Sequence, residues 1–355
     1  MEVSLLCFFF ALLHIINNNI IHILTPCYID NLFVASTYKR ILEHISKRAL
    51  DGADLHMEKP IVKIEAPIRR NDQDPPITLT TAAGEKRNVD EVVVTCPLGW
   101  LKRNKSAFAP PFPPHLAKAI DSISYGRLEK VYVTFPEAFW SANGSSSSSS
   151  SSANKTMTTS SVQFMEPTYV SRPKEDGLFW NQECLSLASL PNDCAHPTLL
   201  FYTTGPCSSH IVDKIANCNS PAEYYDVLDD FFRPFYSRLR GYSPSTCKPI
   251  AFLATQWQKD PYAGNGSYSN FQVGLEQGDK DIETLRTAMG VDRGVWFAGE
   301  HTAPFVALGT TTGAYWSGER AAGQICDVYR LGRSGIGVGR DDSLPSAVGR
   351  NGVTN

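Results

Sequence analysis

The chain has 355 residues, 42% of them hydrophobic and 19% charged, with a formal net charge of −3. That length can bury a large core and reads as two domains of ordinary globular composition. The near-neutral balance excludes the basic footprint of a nucleic-acid binder or of a protein held to an anionic membrane. Nine cysteines, an odd number spread from Cys7 to Cys326, do not read as a disulfide framework.

Residues 1–34 form an atypical N-terminus. Leu5 to Ile16 is almost entirely apolar and has the length of a signal-peptide hydrophobic region, too short to span a bilayer. Glu2 is the only charge before it, and no small-residue cleavage site follows. A mis-joined or non-native segment is therefore preferred over a secretory signal. Four Asn-x-Ser/Thr sequons, at Asn104, Asn143, Asn154 and Asn265, suit secretion but arise easily by chance. A cytoplasmic or nuclear setting is slightly favoured over a secreted one.

Tyr38 to Arg48 has helical spacing, with Ile41, Leu42, Ile45 and Ala49 on one side. Leu55 to Ala66 reads as strand, followed by a polar hairpin tip at Arg69 to Pro76 and a return strand, Ile77 to Thr81. Glu91 to Thr95 is a β-branched run expected to be covered on both faces, ended by Pro97 and Gly99. Pro114 opens a helix through Ile123 that turns Leu116, Ala119, Ile120 and Ile123 inward. Arg127 to Phe135 alternates, with Val131, Val133 and Phe135 on one face and Leu128, Lys130, Tyr132 and Thr134 on the other. Taken alone, Lys130 there is a solvated edge charge.

Asn143 to Ser161 holds eight consecutive serines and is expected to be a disordered surface insert. Strands are expected at Val162–Met165, Gly177–Trp180 and Thr198–Thr204. Cys184, Cys194, His196, Cys207, His210 and Cys218 crowd one stretch without the tight paired spacing of a zinc site, so they read as unpaired thiols and no metal is expected. Ser220 to Glu223 is a capping box with proline at the first helical position; its helix is expected to run to about Phe232, where Pro234 breaks it. Ile250 to Gln258 reads as a strand leading into an aromatic, glycine-rich loop that contains Trp257, Tyr262 and Tyr268.

Val295 to Ala298 is a short apolar strand that stops at Gly299 and Glu300. Gly309 and three threonines then open a helix with small residues on one face: Gly313, Ala314, Ser317, Gly318, Ala321 and Ala322. A helix N-terminus aimed back at the end of a strand suits a large polar cofactor, because its unpaired N–H groups and positive dipole end attract electron-rich groups. An ordinary strand–loop–helix unit packed through small residues reads the same way. The tail after Tyr329 is rich in Gly, Ser and Arg and is expected to be disordered.

FAGEHT at 297–302, followed by GTTTGAYWSGERAAGQI at 309–325, resembles the C-terminal flavin segment of the FAD-dependent amine oxidases. That family includes monoamine oxidases, polyamine oxidases and lysine-specific histone demethylases. PIVKIEA at 60–66, VVVTCPLGWLK at 92–102 with RLEKVYVTFPEAFW at 127–140, and WQKDPYAGNGSYSN at 257–270 match in the same order. The resemblance spans about residues 35 to 327. Enzymes of the family begin with a strand, a G-x-G-x-x-G turn and a helix that seat the FAD pyrophosphate. No such turn precedes a strand in the first half of this sequence.

The resemblance implies an α/β fold: a two-domain flavoprotein architecture with an incomplete FAD-binding domain and a mixed-sheet substrate domain. In boundaries, 35–100 is partial FAD-binding domain, 101–250 substrate domain with the 143–161 insert, 251–330 the C-terminal FAD-binding segment, and 331–355 tail. By the same resemblance the backbone near Ile61 faces the adenosine of FAD, and Lys130 holds a water against the flavin N5 edge, where partial desolvation would lower its pKa. Trp257 and Tyr262 lie on the ring system and Tyr268 stands near the substrate amine. Gly299 and Glu300 meet the ribityl or ribose hydroxyls, and the helix starting near Thr310 and Thr311 favours negative charge on the reduced ring. The position of a second cage aromatic carries Thr311 or Thr312, with Tyr315 as another candidate; this is more like the polyamine and histone-lysine branches than the monoamine branch. The expected activity is flavin-dependent oxidation of a C–N bond in a polyamine or other amine, with O2 as second substrate and H2O2 as product. The alternatives are an inactive fragment used as an interaction module and a histone-lysine demethylase-like chromatin protein. Without the pyrophosphate turn, weak or absent FAD binding is expected.

Overall fold

The computed structural model describes residues 38–69, 74–141, 161–165, 167, 169, 180–190 and 194–330. The N-terminal segment, most of the serine-rich insert and the tail lie outside them.

Helix α1, Lys39–Leu50, follows its sequence periodicity, yet none of its residues is buried. Its apolar side, with Ile41, Leu42 and Ile45, faces outward. Strands β1 (Ile61–Glu65) and β2 (Ile77–Thr81) form the expected hairpin, with Ile64 opposite Leu79. β3, Lys86–Val89, extends it. Strand β4, Val92–Val94, is shorter than its β-branched run. It pairs in parallel with a strand some two hundred residues later, yet Val93 is 42% exposed, against the expectation of cover on both faces. Among the described residues β4 and β13 form a two-stranded ribbon, which has no further strand to bring helices over both of its sides.

Helix α2, Leu98–Arg103, and strand β5, Phe108–Ala109, follow; β5 joins β1 in parallel to complete the order β3-β2-β1-β5. Helix α3, Pro114–Ser122, buries Leu116, Ala119 and Ile120, with Pro114 at its first turn as its sequence requires. The short β6, Ser124–Tyr125, leads into β7, Leu128–Thr134. Alternation there is strict: Glu129, Val131 and Val133 are buried and the intervening residues half-buried.

Five antiparallel strands form the second large sheet. β7 lies between β10 (Thr198–Thr204) and β11 (Ala251–Ala254), while β8 (Ser161–Phe164) and β9 (Gln182–Ser186) complete the other side. Residues 177–179 of one expected strand lie outside the described residues, and Trp180 is not in a strand. The strand expected to reach Gln258 stops at Ala254, after which Trp257–Lys259 form a 3-10 turn.

Helix α4, Gly205–Ala216, and helix α5, Pro221–Tyr236, cover one face of this sheet. Ser220 caps α5 as its box predicts, accepting from Glu223 N at 3.1 Å, while Glu223 Oε2 accepts from Asn219 N at 2.7 Å. Pro234 does not break the helix, which runs on to Tyr236. Losing one N–H is outweighed because that last turn drives Phe232, Phe235 and Tyr236 into the aromatic core, each 1% exposed or less. Asp229, 6% exposed, accepts from Tyr236 Oη and from Arg233.

The chain then forms β12 (Ser269–Asn270), α6 (Gly278–Thr287), α7 (Gly290–Arg293), β13 (Val295–Phe297) and α8 (Thr311–Val328). β13 pairs with β4, and α6, β13, α3 and the β1–β2 hairpin share the first core around Ile77, Leu98, Leu101, Ile120 and Phe297. Among the described residues no helix is long and apolar enough to cross a membrane, and no three His, Cys, Asp or Glu side chains could together hold a metal ion. Cys184 and Cys207 are free, buried thiols, and burial pushes Cys207 up to about 12.

Candidate active site

The sequence places Lys130, Tyr268, Glu300 and Thr310 far apart, and backbone pairing brings their segments together. β6 pairs with β12, and Gly126 N donates to Tyr268 O at 2.7 Å while Ser267 N donates to Gly126 O at 2.9 Å. Leu128 N donates to Ser267 Oγ at 3.2 Å, two residues before Lys130. Lys130 lies on the half-buried face of β7, opposite Tyr202 of β10, with its backbone N donating to Thr255 Oγ1 at 2.9 Å.

Glu300 closes the next link. Its Oε1 accepts from Ser269 N at 3.1 Å and Ser269 Oγ at 2.8 Å, and its Oε2 accepts from Gly309 N at 2.9 Å. Burial raises its pKa, against the opposing effect of those three bonds. The carboxylate therefore brackets β12 to the entry of α8, and both of its oxygens are engaged within the chain. The Tyr268 ring lies over Gly309: a β-carbon there would come within 2.9 Å of the ring.

Helix α8 starts as its threonines predict. Thr310 Oγ1 accepts from Gly313 N at 2.9 Å and donates to Ala307 O at 2.7 Å. Thr311 opens the first turn, half-buried, and Thr312 is exposed. Of the small-residue face, Gly313, Ser317 and Ala321 are buried, whereas Gly318 and Ala322 are exposed. Ser317 is a specific contact: its Oγ accepts from Gly299 N at 2.7 Å and donates to Ala314 O at 2.6 Å. Gly299 has φ of +140°, a conformation that glycine alone adopts without strain, and so turns the chain sharply from β13 into Glu300.

Next to it, His301 is 1% exposed, and neither ring nitrogen has a hydrogen-bond partner among the described residues. Burial, and after it the charge of Arg320, lower its pKa to about 4. Arg320 donates to Phe297 O at 2.6 Å and to Arg286 O at 2.7 Å, tying α8 to β13 and α6; burial brings its pKa down to about 10.

The aromatic loop is pinned from behind. Tyr125 Oη donates to Ala263 O at 2.7 Å, and Arg103 Nη1 bonds Gly99 O at 2.8 Å and Gly264 O at 2.5 Å. Burial raises the Tyr125 pKa, and Glu300 adds to the rise. Asp260 Oδ1 accepts from Tyr262 N at 2.8 Å, closing the turn. Trp257 and Tyr262 stand on this turn with 45% and 71% of their surfaces exposed. Ile61 is elsewhere, at the start of β1 opposite Thr81 in the other large sheet and against the first core.

Sequence reasoning missed Glu129, Ser269, Tyr125 and Arg103. Only Glu129 carried a readable signal, a charge in the buried phase of the β7 alternation. The long-range partners of the other three, Glu300 for Ser269, Ala263 for Tyr125 and Gly264 for Arg103, come from segments that sequence spacing does not bring together.

Comparison with known proteins gives these elements a family. The profile of flavin containing amine oxidoreductases matches residues 22–326. A Caenorhabditis elegans protein named lysine-specific histone demethylase 1B homolog is 29% identical over 298 residues, covering 83% of this chain and 32% of its own length. The human peroxisomal N(1)-acetyl-spermine/spermidine oxidase is 25% identical over 258 residues, covering 72% of this chain and 46% of its own. This chain therefore spans less than half of either relative. A solved structure of a putrescine oxidase redesigned in cofactor binding aligns with a TM-score of 0.52 at 16% identity, over 81% of this chain and 52% of that one, which shows a shared fold. With a mixed-sheet α/β architecture and a profile match over most of its length, the chain belongs to the flavin containing amine oxidoreductase family.

Proposed function

We propose that this chain carries the amine-binding side of a flavin-dependent oxidase acting on the C–N bond of a polyamine or related amine. The observation that carries the reading is the unbroken hydrogen-bonded path from the strand of Lys130, through Gly126 and Ser267–Ser269, to Glu300 and the start of α8. A site split between two sequence-distant segments needs such a path to keep its two halves in register.

The residues at the start of α8 fit the ring end of FAD. Trp257 and Tyr262 offer exposed aromatic surface, and the first turn of α8, with Thr311 half-buried and Thr312 exposed, presents its N–H end. Trp257, Tyr262 and the Thr310–Thr311 turn would hold that end, Gly299 and Glu300 the neighbouring hydroxyls through backbone and remaining lone pairs, and Ile61 the adenosine side. When bound, FAD supplies the two-electron acceptor for the amine C–H bond, and dioxygen restores it with release of hydrogen peroxide.

The chain's own groups do the rest. Lys130 holds a water at the reacting edge and Tyr268 flanks the amine, which must arrive as the neutral base for its nitrogen lone pair to assist loss of hydride. The dipole of α8 favours negative charge beside its N-terminus. The oxidised substrate is an imine, which water hydrolyses to an aldehyde and a shorter amine.

Incubation of the 355-residue chain with FAD, followed by desalting and a visible spectrum, tests the reading. A retained flavin bleached by spermine without air supports it; a folded, colourless protein refutes it for this chain. In a longer parent that retains flavin, Lys130→Met is expected to keep it and to slow peroxide release, measured under air, and an unchanged rate removes Lys130 from the site. A second reading, action on methylated lysine in a histone tail, is favoured by the higher identity to the nematode relative of that name. A methylated lysine peptide in place of spermine separates the two.

A further inference from the structure

Glu129 is a carboxylate with no exposed surface, on the strand that carries Lys130. Its four hydrogen bonds all go to one short segment. Thr255 Oγ1 donates at 2.5 Å and Trp257 N at 3.1 Å to Oε2; Gln258 N donates at 3.0 Å and Gln258 Nε2 at 3.4 Å to Oε1. Two of these donors are the backbone N–H groups that open the 3-10 turn bearing Trp257, so the carboxylate caps that turn from the neighbouring strand. The Thr255 hydroxyl works in both directions, donating to Glu129 and accepting from Lys130 N at 2.9 Å, while Thr255 N donates to Lys130 O at 3.0 Å. Gln258 extends the clasp to α4 through Ser208 and Ser209, each at 2.7 Å.

Taking a carboxylate out of water is costly, and an apolar side chain would fill the same space without that cost. What the carboxylate provides is a fixed position: charge-assisted bonds to consecutive N–H groups hold a turn more tightly than packing can. We propose that Glu129 is a positioning residue of the amine-oxidation site, whose carboxylate sets where the Trp257 turn stands relative to Lys130. The catalytic part of this rests on the roles assigned above to Trp257 and Lys130; the anchoring part does not.

The test uses Glu129→Gln, Thr255→Val and Thr255→Ser in the full chain, with two readouts. Hydrogen exchange of the 255–259 amides is expected to accelerate about tenfold in Glu129→Gln, with β10 amides unchanged. With spermine and FAD, kcat per folded molecule is expected to fall roughly ten- to a hundredfold in Glu129→Gln and Thr255→Val. KM is expected to stay within about twofold of the parent, and Thr255→Ser to recover most of kcat. Unchanged exchange in the 255–259 segment overturns the proposal. So does a rate loss that disappears once the folded fraction is counted. If the parent chain turns over no amine, the proposed function fails separately, and the exchange result alone decides whether Glu129 anchors the turn.

Discussion

Replacing Glu300 with alanine removes a side chain that links β12 to the start of α8. Three bonds are lost, from Ser269 N at 3.1 Å, Ser269 Oγ at 2.8 Å and Gly309 N at 2.9 Å. The serine hydroxyl can turn elsewhere, but the two backbone N–H groups cannot; a buried donor such as Ser269 N left unmade costs about 1–3 kcal/mol, and the half-buried Gly309 N less. Against this stands the relief of a buried charge, since burial dominates the raised pKa of Glu300. A net loss of about 2–4 kcal/mol remains. At about 2 °C per kcal/mol, the lower end of the range for a chain this large, the melting midpoint should fall by roughly 4–8 °C. Scanning calorimetry of parent, Glu300→Ala and Glu300→Gln at pH 7 measures it. The glutamine variant keeps the volume and one acceptor and should lie between the other two. The pH sign follows from the raised pKa: protonation of Glu300 favours the folded state, a contribution complete below the unfolded value and lost as pH rises through the folded one. The deficit of Glu300→Ala against the parent should therefore shrink from pH 4 to pH 7. A midpoint within about 1 °C of the parent would refute the bracket as a structural element.

His301 gives the opposite pH sign. Its folded pKa of about 4 lies below the unfolded 6.5, so its neutral, buried form adds stability above the unfolded value that is lost as pH falls towards 4, by about 3 kcal/mol in all. Across pH 7, 5.5 and 4.5 the urea midpoint of the parent should fall relative to that of His301→Phe; parallel curves would contradict the burial argument. Two glycines of α8 form a matched pair. A β-carbon at Gly313 would lie 2.1 Å from Ala307 O and 2.7 Å from Ala303 Cβ, so Gly313→Ala should cost about 1–3 kcal/mol. At Gly318 nothing lies within 4 Å, so Gly318→Ala should gain up to about 1 kcal/mol from helix propensity. Chemical denaturation ranks them, and the reverse order would mean that α8 packs through its other face.

The sequence by itself determined the elements whose rules are local. The alternation of Val131, Val133 and Phe135 gave β7 and its buried face, Ser220 and Pro221 gave the start of α5, and Thr310 capped α8 at the residue its pattern predicts. It also held the family, because FAGEHT and the aromatic loop are contiguous words. Tertiary structure decided what depends on distance along the chain. Pro234 stays helical because an aromatic core rewards the last turn of α5, and Val93 stays open because, among the described residues, β4 pairs with β13 alone. The bracket at Glu300 and the clasp at Glu129 join residues 9 to 31 and about 130 positions apart. No local propensity encodes such partners. They exist because buried N–H groups must find acceptors, and only the folded chain determines which carboxylate is within reach.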